Sequence, residues 1–261
     1  MKVQFSLWWI VFLIFACFAN AFLVFIWIMG MLLIHELMHV MMACYLGYEV
    51  ERIMIYPFGV GAYIAHLDHG RSFDEICIIL AGLATHLWFP FILQSAYQLN
   101  WISSSFMMYL KQMNFSILLF NCLPIYPLDG GRIVDALIHL FCSYRIGKMI
   151  SLFTSLVALS VVYCFAGTVN LSFRLVLSFL FIQIGISMMM FRLDMLQFRY
   201  YCFNRKEIKK YRFPNHFKLF RNATGLYRSP KGVFNEKRWL RDEYFTTQMK
   251  KSSELHQMFM L

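Results

Sequence analysis

Two histidines four residues apart, with a glutamate beside the first, have the types and spacing for hydrolytic metal chemistry: His35-Glu36-Leu37-Met38-His39. On a helix, a four-residue step is about 40° of rotation and about 6 Å of rise, so both imidazoles face one side. That geometry suits two adjacent corners of a zinc tetrahedron. Glu36 lies about 100° round, beside the ion rather than on it. There it can take a proton from activated water and pass it to a leaving amine. The flanks, 22–34 and 40–46, carry no charged residue. A carboxylate and two imidazoles in such a stretch are costly and point to function, so the chemistry implied is hydrolysis within a bilayer.

A catalytic zinc needs a third protein ligand. Asp129 is the candidate, in Asn121-Cys122-Leu123-Pro124-Ile125-Tyr126-Pro127-Leu128-Asp129-Gly130-Gly131. By itself, an Asp-Gly after a proline-rich stretch reads as a turn. Beside the helical motif it reads as the missing ligand, provided that Pro124 and Pro127 break the helix and let the chain fold back to the depth of the histidines.

The elements that must hold these residues are membrane helices. The chain has 261 residues, 60% of them hydrophobic, with 28 Phe and 18 Met, and 15% charged. Soluble domains have roughly 25% charged residues, and the mean hydropathy here is +0.57. The fold expected is an all-α polytopic membrane protein. A span needs about 20 apolar residues, and six are placed, at 5–20, 22–46, 76–97, 107–125, 148–166 and 171–191. Residues 1–191 form the membrane core and 192–261 a basic tail.

All of the +10 net charge belongs to that tail, because the two signs balance over the first 191 residues. A basic segment beside a membrane faces the cytosol and its anionic lipid. With six spans the N-terminus is then cytosolic too. Lys2, Arg52, Arg71, Arg132, Arg145 and Lys148 fall inside, and only Lys111 and Arg174 outside. Residues 199–212 read as a basic juxtamembrane helix, and no nucleic-acid recognition motif accompanies the charge. The seven cysteines form no CxxC pair and read as small buried hydrophobes.

Residues 53–65, Ile-Met-Ile-Tyr-Pro-Phe-Gly-Val-Gly-Ala-Tyr-Ile-Ala, are too short and too interrupted by Gly and Pro to span. Their β-branched and aromatic content suits a short re-entrant hairpin lying against a cavity. Its edge, with Tyr56, Phe58 and Gly59, is a place for an extended substrate strand to pair.

A membrane-embedded HExxH followed by N-x-x-P-x-x-x-L-D-G resembles the signature of the site-2 protease family of intramembrane zinc metalloproteases. The resemblance implies zinc on His35, His39 and Asp129, with Glu36 as general base. It gives Asn121 a substrate-backbone contact, with Pro124 beside it. Pro-Ile-Tyr-Pro-Leu-Asp-Gly-Gly, the Tyr-Pro-Phe-Gly loop and the Ala81-Gly82 pair are similar to sporulation members of the family. Those cut the pro-sequence of a sigma factor at the membrane, under inhibitory membrane partners. Two features depart from the pattern. The usual Ala-Gly-Pro, often followed by Asn, is here Ala81-Gly82-Leu83 with His86 downstream. Residues 192–261 are also short for the nucleotide-binding CBS domain of the sporulation members.

Two other classes compete with a protease. A di-iron membrane oxidase or desaturase needs repeated histidine boxes, whereas only eight histidines are present and one pair has helical spacing with an adjacent Glu. A transporter or catalytically dead membrane scaffold would show no proteolysis for Glu36→Gln to abolish. His66 and His69 read as a polar turn, and His139 as a core or interfacial residue. His86 reads as bonding a neighbouring carbonyl, and Arg132 with Asp135 as a solvated pair.

Overall fold

The computed structural model describes residues 2–5, 18, 22–56, 59–165, 171–205, 208, 210–214, 218–229 and 232–241. Its helices are α1 (Phe22–Tyr45), α2 (Ser72–Gln98), α3 (Ser104–Asn121), α4 (Asp129–Phe141), α5 (Tyr144–Phe165) and α6 (Leu171–Asn204). Its strands are β1 (Lys2–Phe5), β2 (Val50–Tyr56), β3 (Gly59–Ile64), β4 (Tyr211–Arg212), β5 (Thr224–Ser229) and β6 (Gly232–Asn235).

Among the described residues, α1, α2, α5 and the 173–204 part of α6 are long and apolar enough to cross a bilayer. Their outward faces carry exposed Leu23, Met41, Trp88, Phe91, Phe153 and Phe179, as hydrocarbon requires. Of the two other expected spans, the one at 5–20 lies almost wholly outside the described residues. The one at 107–125 is α3, which has 18 residues and carries Lys111, Gln112 and Asn114 in its middle. The helix stops at Asn121 because Leu123, which precedes Pro124, is pushed away from helical angles. The helix of the sixth expected span continues past 191: no Gly or Pro lies between 186 and 204, so α6 reaches Asn204, and its 34 residues extend about 51 Å.

Helix α1 packs on α2, and α2 on both α3 and α4; α4 then leads through α5 to α6. Met31, Phe89, Leu93, Met107 and Leu110 bind the first three helices. Ile125, Leu159, Leu177, Leu180 and Ile184 seat the 122–128 turn against α5 and α6.

Residues 50–64 are a hairpin, as their composition implies, with Tyr56 paired to Gly59 at its tip. It is wider than a two-stranded loop, because β1 adds in parallel along β2, from Lys2 opposite Arg52 to Phe5 opposite Ile55. Strand β2 is therefore central, and β3 is an edge that packs on α1.

Of the basic helix expected at 199–212, residues 199–204 are the end of α6, whereas Tyr211–Arg212 is strand β4. Strands β4, β5 and β6 form a small sheet, with β4 parallel and β6 antiparallel to β5. Leu219 and Leu240 from this unit pack on Tyr144, Phe198 and Cys202 of the helices.

Candidate metal centre

Both histidines of α1 point inward and are buried, with His35 4% and His39 6% exposed. The His39 ring is placed by α2. The His39 Nδ1–H donates to the Ile78 carbonyl at 2.8 Å, which leaves the Nε2 lone pair facing the site. The ring lies so close to Gly82 that a Cβ there would strike it, so Gly82 is glycine for lack of room. Glu36 is half-buried, and its carboxylate lies within 4.8 Å of a ligand nitrogen of each histidine.

The third group arrives from the far side. Asp129 opens α4, where a helix N-terminus favours a carboxylate. The turn before it is pinned to α5: the Tyr126 N–H donates to Ser155 Oγ at 3.0 Å, and the Lys148 ammonium sits 4.6 Å over the Tyr126 ring. The two glycines after Asp129 let α4 meet this turn backbone to backbone. A Cβ at Gly130 would strike Cys122 and Leu123, and one at Gly131 would strike Ile125 and Tyr126.

His35 Nε2 is thereby 3.0 Å from Asp129 Oδ2 and 3.0 Å from His39 Nε2, and His39 Nε2 is 3.3 Å from Asp129 Oδ2. Three lone-pair atoms face each other in a buried site, an arrangement that needs a cation or protons between them. Tetrahedral zinc with bonds near 2.0–2.1 Å separates its donors by roughly 3.3 Å. Two imidazoles and one carboxylate at these spacings fit that ion. Glu36 belongs to the same cluster, but as neighbour of His35 it stays on the side of the triangle, where a proton acceptor is useful.

Of the expected substrate residues, Asn121 ends α3 half-buried, and Pro124 is exposed in the turn that carries Asp129. Tyr56 and Gly59 close the β2–β3 hairpin, and Phe58 lies outside the described residues.

His86 is a site neighbour that the sequence reading assigned to a carbonyl bond. Its Nδ1–H instead donates to Asn114 Oδ1 at 2.8 Å, and Asn114 Nδ2 returns a bond to the His86 carbonyl at 2.9 Å. Its Nε2 is buried without a partner among the described residues, and the ring centroid is 5.1 Å from that of His35. The sequence signal was the appearance of His on the helix that also supplies Gly82. Arg132 and Asp135 are not the solvated pair expected. Arg132 reaches Glu75 Oε1 at 3.3 Å and Asp68 at 3.5 Å, and Asp135 is buried against His139 Nδ1 at 3.2 Å. His69 is tucked among Tyr144, Phe198 and Tyr201 in a 3-10 turn, Leu67–His69.

Residues 92–165 match Peptidase family M50, a segment that includes the motif from Asn121 to Asp129 but not His35 and His39. Stage IV sporulation protein FB of Bacillus subtilis (strain 168) is 30% identical over 124 residues, 48% of this chain and 43% of that protein. The chain thus spans less than half the length of the curated relative it matches. The Site-2 Protease from Methanocaldococcus jannaschii superposes with a TM-score of 0.55 at 22% identity, covering 71% of this chain and 90% of that one, which is a likeness of fold. With the motif on two helices, residues 92–165 are thus similar to peptidase family M50, and the described chain is similar in fold to a site-2 protease.

Proposed function

We propose that this chain is an intramembrane zinc metalloprotease. It hydrolyses a peptide bond of a membrane-associated regulatory protein near the cytosolic face, and a sporulation pro-sigma factor is the substrate kind that the sequence resemblance favours. The observation that carries the reading is the convergence of His35, His39 and Asp129 within 3.0–3.3 Å, with the Glu36 carboxylate alongside.

His35 Nε2, His39 Nε2 and Asp129 Oδ2 would hold the zinc. Bound there, zinc supplies a Lewis acid that makes water nucleophilic at neutral pH. Glu36 accepts the proton that water gives up and delivers it to the departing amine nitrogen. The substrate must be unwound at the scissile bond, since a helical peptide group is already hydrogen-bonded and shielded. The free edge of β3 supports an extended strand by main-chain pairing, and Asn121 supports its register. Six spans, two cytosolic termini and inhibitory membrane partners complete the proposal, supported by the charge distribution and the resemblance.

The deciding experiment co-expresses a candidate membrane-bound pro-sigma factor with the wild-type chain or with Glu36→Gln. The variant should keep its zinc and lose cleavage by at least about 10²-fold. Cleavage by Glu36→Gln at the wild-type rate refutes the assignment. Metal analysis giving two irons instead of one zinc turns the reading to the oxidase class.

A further inference from the structure

Arg221 is the largest of the fully buried side chains, at 1% exposure, and it comes from the basic tail. Its Nε–H donates to the Gly70 carbonyl at 3.0 Å. Its Nη2 donates to the Leu67 carbonyl at 3.0 Å and to Glu75 Oε2 at 2.8 Å. Its Nη1 lies 3.7 Å from Asp135 Oδ2. Glu75 stands in the first turn of α2, and its other oxygen accepts from Arg132, one turn beyond Asp129 on α4. The tail therefore holds one carboxylate on α2 and one on α4 with a single guanidinium, and reaches α4 a second time through Glu75 and Arg132.

Neighbouring bonds tie the same elements. The Ser72 N–H at the start of α2 donates to Asn222 Oδ1 at 2.9 Å, and Asn222 Nδ2 donates to the His139 carbonyl at 3.1 Å. Arg212 donates to the carbonyls of Leu140 and Phe141 at the end of α4, both at 2.8 Å. Covering apolar surface would need only Leu219 and Leu240. A buried guanidinium costs several kcal/mol unless it is paired and hydrogen-bonded; here Nε and Nη2 are hydrogen-bonded, and Nη1 is held by its ion pair with Asp135.

Helix α4 has 13 residues and is not among the apolar spans, so hydrocarbon does not fix its height. What its height decides is where Asp129 Oδ2 stands relative to His35 and His39. We propose that Arg221 is a positioning residue for the third metal ligand: by bridging Glu75 on α2 and Asp135 on α4 it sets the register of the two helices and thereby the place of the Asp129 carboxylate. The docked tail is then a condition for a complete metal site. This rests on the metalloprotease reading of the site.

The test compares zinc affinity, by chelator competition, with thermal unfolding of the full chain in detergent. Arg221→Gln should weaken zinc binding at least about tenfold, the size of effect that loss of an outer support produces. Arg221→Lys should recover part of this, because an ammonium still pairs with Glu75 but lacks the fork that serves two carbonyls as well. Leu219→Ala loosens the same docking surface without touching the charges. It should lower the melting temperature while leaving zinc affinity within about twofold of wild type. Should Arg221→Gln not accumulate folded, Arg132→Gln removes only the α4 arm of the Glu75 bridge and should weaken zinc binding in the same direction. Zinc affinity unchanged in these Arg variants while wild type binds zinc overturns the proposal alone. A wild-type chain that binds no zinc overturns it together with the metalloprotease reading.

Discussion

Gly82→Ala is the sharpest perturbation of the candidate metal site, because one methyl group meets one candidate ligand, His39. An ideal Cβ at position 82 would lie 2.6 Å from His39 Nδ1, and two other ring atoms are nearer still. Ordinary contact begins at 3.4 Å, so the ring must retreat by more than about 0.8 Å. Metal–ligand distances tolerate about 0.2 Å. The retreat also pulls Nδ1 away from the Ile78 carbonyl, now at 2.8 Å, and losing such an outer-shell bond costs about 10–100-fold in metal affinity. Zinc affinity by chelator competition should fall by at least that much. Cleavage at limiting zinc should fall with it and return in part at excess zinc. Gly30→Ala on α1 is the matched control, since a Cβ there meets nothing within 4 Å, and it should leave zinc binding unchanged. A Gly82→Ala chain that binds zinc within twofold of wild type would show that His39 is not held against α2 as described.

Three further outcomes follow from other contacts. Gly131→Ala drives a methyl into the Ile125–Tyr126 backbone, which cannot rotate aside; it should lower both the melting temperature and the zinc content, read by calorimetry and metal analysis. His86→Phe keeps the ring but strands Asn114 Oδ1, so stability should drop by about 1–3 kcal/mol in denaturant unfolding; an unchanged midpoint would refute the bond's contribution. His69 has a pKa lowered from 6.5 to about 4, chiefly by burial; Arg221, His66 and Lys148 lower it further, while Asp68 opposes the shift. The folded chain keeps it neutral, so below pH 6.5 the unfolded chain binds a proton that the folded one refuses, and stability declines as pH falls from about 6.5 to about 4. The melting temperature of the full chain in detergent should therefore be lower at pH 5 than at pH 7.5, and equal melting temperatures would count against it.

The meeting of His35, His39 and Asp129 was largely legible because its signals are local. A four-residue step on an apolar helix puts His35 and His39 together whatever the rest of the chain does. Asp129 could be found because prolines and glycines mark where a helix must break and where backbones must touch. Gly82 and His86 were harder, since what they do depends on the ring of His39 and the amide of Asn114 on neighbouring helices. The tail was misjudged for the same reason in stronger form. Arg221 meets Glu75 across 146 residues of sequence, and no pattern near Arg221 distinguishes a buried cation from the solvated ones around it. Strand β1 was equally hidden, because four residues acquire their meaning only from β2. Helix α3 was expected as an ordinary span, because its apolar residues drew more notice than the three polar ones among them.

Those polar residues bear on how the protein is assembled. Asn114 is satisfied by His86, and the Lys111 ammonium donates to Gln94 Oε1 at 2.9 Å, so two of the three are met by α2, while Gln112 is exposed. On an insertion scale, a lysine near the centre of an inserting helix costs up to about 2.5–3.5 kcal/mol. Emerging alone from the translocon, this segment would partition poorly into lipid. Beside a helix that has already entered, it finds its partners waiting, which makes the order of synthesis part of the means by which the bundle is built.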